Sequence, residues 1–148
     1  MDQLRDRSDT SHGHQRILLV LRTGIEMAKA RVTLREYAVI RLNGSGAGTA
    51  RVGPLTAREI WYPSNVSIKT TFPGVQTVPT NESKCDIFVG QSISPEFFRD
   101  TSFQGSTGDA SGACSADIVR TGQYVWAVWS GGDAGVQATL TVTGVKDV

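Results

Sequence analysis

The chain has 148 residues, with 15 Lys plus Arg against 14 Asp plus Glu, 39% hydrophobic residues and 16 glycines. That is room for one domain with an extension, and for a core that buries roughly two-thirds of the surface the unfolded chain exposes. A formal charge of +1 gives no general electrostatic case for nucleic acid, because surfaces that track phosphates usually show as a basic excess. Apolar runs such as Ile17 to Leu21 fall far short of the about 20 residues of a bilayer-spanning helix, so no membrane contact is expected.

Met1 to Arg16 reads MDQLRDRSDTSHGHQR. With almost nothing to bury, it is expected to be ordered only against a partner. Asp2, Asp6 and Asp9 among its arginines argue against a secretory leader. Up to Arg41 there are eight basic and five acidic residues, and beyond it seven and nine, so a +3 front precedes a −2 remainder. Ile17 to Arg31 fits a short helix over Gly24 to Arg31 or a strand over Ile17 to Leu21, and periodicity does not separate the two. Residues 1–32 read as an N-terminal arm and 33–148 as the folded domain.

After Asn43 glycine recurs, Thr, Ser and Val become common, and helical periodicity stops. Val66, Ile68, Thr70 and Phe72 alternate with Ser67, Lys69 and Thr71, which places the first set on one buried face of a strand. Cys85, Ile87 and Val89 alternate with Asp86 and Phe88 in the same way. Tyr124 to Trp129 is apolar on both faces, so it is a central covered strand or leaves one side for assembly. Val136, Ala138, Leu140 and Val142 alternate with Gln137, Thr139, Thr141 and Thr143, and Gly131 to Ala134 would join these last two runs as a hairpin. Further strands are expected at Thr33 to Leu42, Ala50 to Val52, Arg58 to Tyr62 and Ser115 to Val119, with a long polar loop from Thr101 to Ala113. Six to eight short strands between Gly, Pro, Asn and Ser clusters give an all-β fold, an antiparallel β-sandwich of jelly-roll type behind the arm.

The chemistry these residues permit is narrow. Both histidines, His12 and His14, lie in the arm, so the β domain has no imidazole for a Ser-His-Asp or Cys-His arrangement or for the usual catalytic zinc site. The expectation is that the protein is not an enzyme and needs no cofactor. Glu59, Glu82, Asp86 and Glu96 supply carboxylates for a glycosidase pair, but spacing places no two of them across a cleft. Asp100, Asp109 and Asp133 lie in or beside Gly-rich loops and are weak Ca²⁺ candidates without Asp-x-Asp-x-Asp spacing. Gly44 to Gly48 lacks the Lys-Ser/Thr ending of a phosphate loop and reads as a turn. Cys85 and Cys114 either close a disulfide loop worth roughly 3.5 kcal/mol or are two reduced, buried thiols.

What remains are residues suited to contact. Trp61, Tyr62, Trp126 and Trp129 can anchor a protein interface or stack on sugar rings, and Trp126 and Trp129, three apart on a strand, face opposite sides. Arg5, Arg7, Arg16 and Arg22 in the arm can pair bidentately with carboxylates of a neighbour.

From about Ala50 onward, and most of all in Gly122-Gln-Tyr-Val-Trp-Ala-Val-Trp-Ser-Gly-Gly-Asp-Ala-Gly135 and Ala138-Thr-Leu-Thr-Val-Thr-Gly144, the chain resembles the small β-rich minor tail proteins of siphophages that infect actinobacteria. The resemblance lies in texture and strand-turn order over about two-thirds of the chain, and the front 41 residues have no counterpart in it. It implies a structural subunit of a bacteriophage virion, in the tail or its tip, assembled in the host cytoplasm. Its partners would be other virion proteins and further copies of itself in a symmetric particle. A capsid decoration or connector protein is the neighbouring alternative, and a carbohydrate-binding module that recognises host cell-wall glycan is the alternative from another class.

Overall fold

Period-two alternation of apolar and polar residues carries most of the described chain into strands. The computed structural model describes residues 30–72, 80–104 and 108–148. The arm with Arg5, Arg7, Arg16 and Arg22, and the helix-or-strand question over Ile17 to Arg31, fall almost wholly outside them. In chain order the strands are β1 (Arg31–Arg41), β2 (Gly48–Val52), β3 (Ile60–Thr71), β4 (Ser83–Gly90), β5 (Phe98–Gln104), β6 (Asp109–Ser111), β7 (Tyr124–Ser130) and β8 (Gln137–Asp147), with a 3-10 turn at Pro95–Phe97. The first strand starts at Arg31, two residues before the expected Thr33.

Two four-stranded antiparallel sheets form, in the orders β1-β8-β3-β6 and β2-β7-β4-β5. Strand 1 pairs with 8, 2 with 7, 3 with 6 and 4 with 5, so the chain is one long antiparallel ribbon folded over on itself, which is the jelly-roll winding. The expected β-sandwich is therefore observed.

One face of each sheet turns inward. Leu34, Val66, Ile68, Ala138, Leu140 and Val142 from the first sheet meet Ala50, Cys85, Ile87, Val125, Ala127 and Trp129 from the second, all 5% exposed or less. The alternation read in Val66 to Phe72, Cys85 to Val89 and Val136 to Val142 is the alternation observed, because a half-buried strand rewards it residue by residue.

Four local expectations change. The expected strands over Arg58 to Tyr62 and Val66 to Phe72 merge into one, β3, which spans Ile60–Thr71. Its pairing with β8 shifts between Pro63 and Asn65; proline has no N–H for the ladder and is accommodated at a bulge. Gly144 makes the bulge fit, since a Cβ there would lie 2.3 Å from the Tyr62 carbonyl oxygen. Next, β7 and β8 are not a hairpin but lie in different sheets. Their connection is tied instead to the β1–β2 turn, through Gly132 N to Gly46 O and Gly135 N to Leu42 O. Finally, the stretch Thr101 to Ala113 is not one loop, as it holds the end of β5 and all of β6, whereas Ser115 to Val119 gives only a single bridge from Val119 to Trp61. Turn hydrogen bonds Ser115 N to Gly112 O and Asp117 N to Cys114 O hold that segment in tight turns instead.

Candidate functional site

On the outer face of the second sheet the ladder lines up four residues from four strands. Arg51 on β2 pairs with Trp126 on β7, Trp126 with Phe88 on β4, and Phe88 with Phe98 on β5. The Arg51 guanidinium carbon sits 4.1 Å from the Tyr124 ring centroid and 5.2 Å from that of Trp126. Tyr124 meets Trp126 edge-on at 5.4 Å, and Phe88 meets Phe98 edge-on at 5.7 Å. The Trp126 indole N–H donates to the Gly90 carbonyl at 3.0 Å, which anchors the ring to β4.

A bulge continues this surface. The β4–β5 register skips Arg99 between Ile87 and Phe88, so Phe98 stays outward beside Ile93 and Pro95, and these line an open hollow of about 390 Å³ with Phe88 and Ser94. Phe98 is 44% exposed and Phe103, two rows along β5, 61%. The displaced Arg99 is held by two 2.9 Å hydrogen bonds to Asp117, and these hold its guanidinium pKa above the ordinary arginine value.

The structure separates the aromatic candidates. Trp61 and Trp129 are core residues, 2% and 1% exposed, so they are unavailable to a partner or a sugar. Trp126 faces outward as its spacing from Trp129 required. Tyr62 lies on the outer face of the other sheet, under the Arg31 guanidinium at 4.4 Å, with its hydroxyl donating to Asp147. Phe88, Phe98 and Phe103 carry no local signal of a site, and alternation alone sets only Phe88 on the face opposite Cys85. The missing information was the pairing of β4 with β5 and β7, which no local pattern contains.

A second feature is a cleft of about 520 Å³ at one end of the sandwich, lined among others by Glu36, Arg51, Glu59, Trp61, Tyr124 and Lys146. Lys146 Nζ donates to Glu59 at 2.7 Å and lies 3.6 Å from Glu36. Its hydrogen bond holds the Glu59 carboxyl below the usual range, and the same bond raises the Lys146 ammonium. At neutral pH, then, Glu59 is a carboxylate and Lys146 an ammonium, a pairing that braces the cleft and leaves neither group set to give or take a proton. The buried Trp61 indole N–H makes no hydrogen bond of good geometry among the described residues, but it lies toward the Glu59 carboxylate and helps to lower its pKa.

Apart from Glu82 and Glu96, which are exposed, the remaining candidates have structural work. Asp86 accepts from the Thr101 hydroxyl, and Glu96 sits exposed in the 3-10 turn. Asp100 on β5 accepts from Ser111 on β6 at 2.6 Å, which stitches the edges of the two sheets together. Asp109 accepts from the next backbone N–H, and Asp133 from the Thr80 and Asn81 backbones and the Asn81 amide. Among the described residues no three His, Cys, Asp or Glu side chains stand together as metal ligands. Cys85 and Cys114 are each buried and unbonded, and burial pushes their thiols up to about 12 and about 11.

The chain matches no protein-family profile and no curated protein.

Proposed function

We propose that the protein is a structural subunit of a bacteriophage virion, a minor tail or tail-tip protein, and that it joins its neighbours through the outer face of the second sheet. The observation that carries the reading is the aromatic row of Trp126, Phe88 and Phe98, extended by Ile93 and Phe103. Interfaces between proteins are marked by aromatic residues and arginine at their centre, and here an arginine, Arg51, closes the row. Jelly-roll sandwiches serve as viral shell proteins and as lectins, so the fold is compatible with the role without assigning it. The glycan reading keeps less support, since the core holds Trp61 and Trp129 and the Arg51 guanidinium lies over the rings of Tyr124 and Trp126.

The test is incorporation. The double variant Phe98→Asp, Phe103→Asp changes two exposed side chains and is expected to fold with an unchanged circular dichroism spectrum, yet to be missing from purified particles by mass spectrometry. Particles that carry the variant at the wild-type level, or wild-type particles without the protein, would overturn the proposal.

A further inference from the structure

The near-neutral total conceals a separation of charge. The outer face of the first sheet is built from alternate residues of β1, β8 and β3, set by the register Arg35–Thr143–Asn65, Tyr37–Thr141–Ser67, Val39–Thr139–Lys69 and Arg41–Gln137–Thr71. Arg31, Arg35, Arg41 and Lys69 bring four positive charges to this face, and Asp147 is its one carboxylate, hydrogen-bonded to Arg31 at 2.9 Å. The face is thus +3. Residues 30–148 outside it hold six basic and nine acidic side chains, so everything else in the described fold is −3.

Apolar side chains are few on this face: Val39 is 47% exposed and Val145 39%, and the positions around them are polar. β8 presents Gln137, Thr139, Thr141 and Thr143, and β3 presents Asn65, Ser67 and Thr71, hydroxyls and amides of the kind that contact phosphate oxygens and sugars. A protein partner would find few hydrophobic anchors among them. At the edge, Tyr37 is 66% exposed and lies two residues from Arg35 on the same face of β1, so an aromatic ring and a guanidinium are offered on one strand edge, the residue types that stack and track unpaired bases. Among the described residues Arg35 and Lys69 form no ion pair, although Asp109 of β6 lines a shallow hollow with Lys69 and Ser67.

From this charge separation we infer that the outer face of β1, β8 and β3 binds the phosphate backbone of single-stranded nucleic acid without reading its sequence. The inference reverses the expectation drawn from the whole-chain charge, and it stands independently of the aromatic face and of the virion reading. With three to four phosphates neutralised, log K falls against log salt with a slope of about −2 to −3, so affinity drops about 20- to 50-fold between about 50 and 200 mM salt.

The experiment uses the full chain and a fluorescein-labelled single strand of twenty thymidylates, read by fluorescence anisotropy. Arg35→Gln, Arg41→Gln and Lys69→Gln together should weaken binding at least tenfold and flatten the salt slope by about 2, while Tyr37→Ala weakens it with the slope unchanged. The control Arg58→Gln, Lys84→Gln and Arg120→Gln removes equal charge elsewhere and should change affinity less than threefold. The inference fails if the wild type does not bind the strand at about 50 mM salt, or if the two triple variants weaken it equally. It fails too if polyglutamate of equal charge displaces the strand as well as unlabelled oligonucleotide does.

Discussion

Lys146 and Glu59, 87 residues apart in the chain, are joined by a 2.7 Å hydrogen bond with each side chain less than a fifth exposed. The bond links the penultimate residue of β8 to the segment leading into β3, at the end of the sandwich where Trp61 closes the core. Because Glu36 also faces Lys146, one ammonium serves two carboxylates on different segments.

This pair predicts a pH signature. The Glu59 pKa is lowered from 4.5 by the Lys146 hydrogen bond, so its contribution is fully present above the unfolded value and is lost as pH falls through the folded one. Glu59→Gln should cost about 1 to 3 kcal/mol at pH 7, and the difference from wild type should shrink below about pH 4.5. Lys146 is raised, so its contribution is lost only as pH climbs past 10.5 and through the folded value. Urea unfolding at a series of pH values measures both limbs, and a Glu59→Gln penalty that stays constant down to pH 2 would contradict the assignment.

The β1–β2 turn makes a sharper prediction for two neighbouring glycines. Gly46 has φ +74°, and a Cβ there would sit 1.8 Å from the Gly132 carbonyl oxygen, whereas one at Gly44 meets nothing within 4 Å. Gly46→Ala should cost about 2 kcal/mol or more, from the left-handed backbone and the collision together. Gly44→Ala should change stability by less than about 0.5 kcal/mol. Equal midpoints for the two variants in chemical denaturation would sink the account of this turn.

Thr70 offers a stabilising change. Its side chain is fully buried on the inner face of β3, and its hydroxyl has no partner among the described residues. Thr70→Val keeps the shape and removes a desolvated polar atom, so it should raise stability by about 1 kcal/mol. A loss of stability in thermal unfolding would mean that the hydroxyl has a partner after all.

The thiols should be inert. With pKa values pushed up to about 12 for Cys85 and about 11 for Cys114 by burial, native protein at pH 8 should react with a disulfide reagent about a hundredfold more slowly than an exposed cysteine. Unfolding in guanidinium should release two thiols at once. A count below two in non-reducing denaturant would bring back the disulfide that the structure lacks.

Much of this architecture was legible in the sequence, and the exceptions share a cause. The inward positions of β3, β4 and β8 could be read directly, because alternation is a local property and burial enforces it at each residue. The opposite orientations of Trp126 and Trp129 followed from the same rule. The single strand across Pro63 was not visible, since it depends on Gly144 of a distant strand making space for the bulge. The false hairpin after Trp129 arose because a Gly-rich turn looks the same whether it returns to its own sheet or crosses to the other. Both outer faces were hidden for the related reason that Phe88 and Phe98, or Arg35 and Lys69, become neighbours only through pairing.

The central claim is that the aromatic face carries protein contacts within a particle. The direct measurement places the photocrosslinker benzoylphenylalanine at position 98 in place of the exposed Phe98, assembles particles with that chain and irradiates them. The account predicts a covalent adduct between residue 98 and a virion protein, located by peptide mass spectrometry, with no adduct from the same crosslinker in place of the exposed Leu55, outside the row. A position 98 that stays uncrosslinked in particles containing the protein would contradict it.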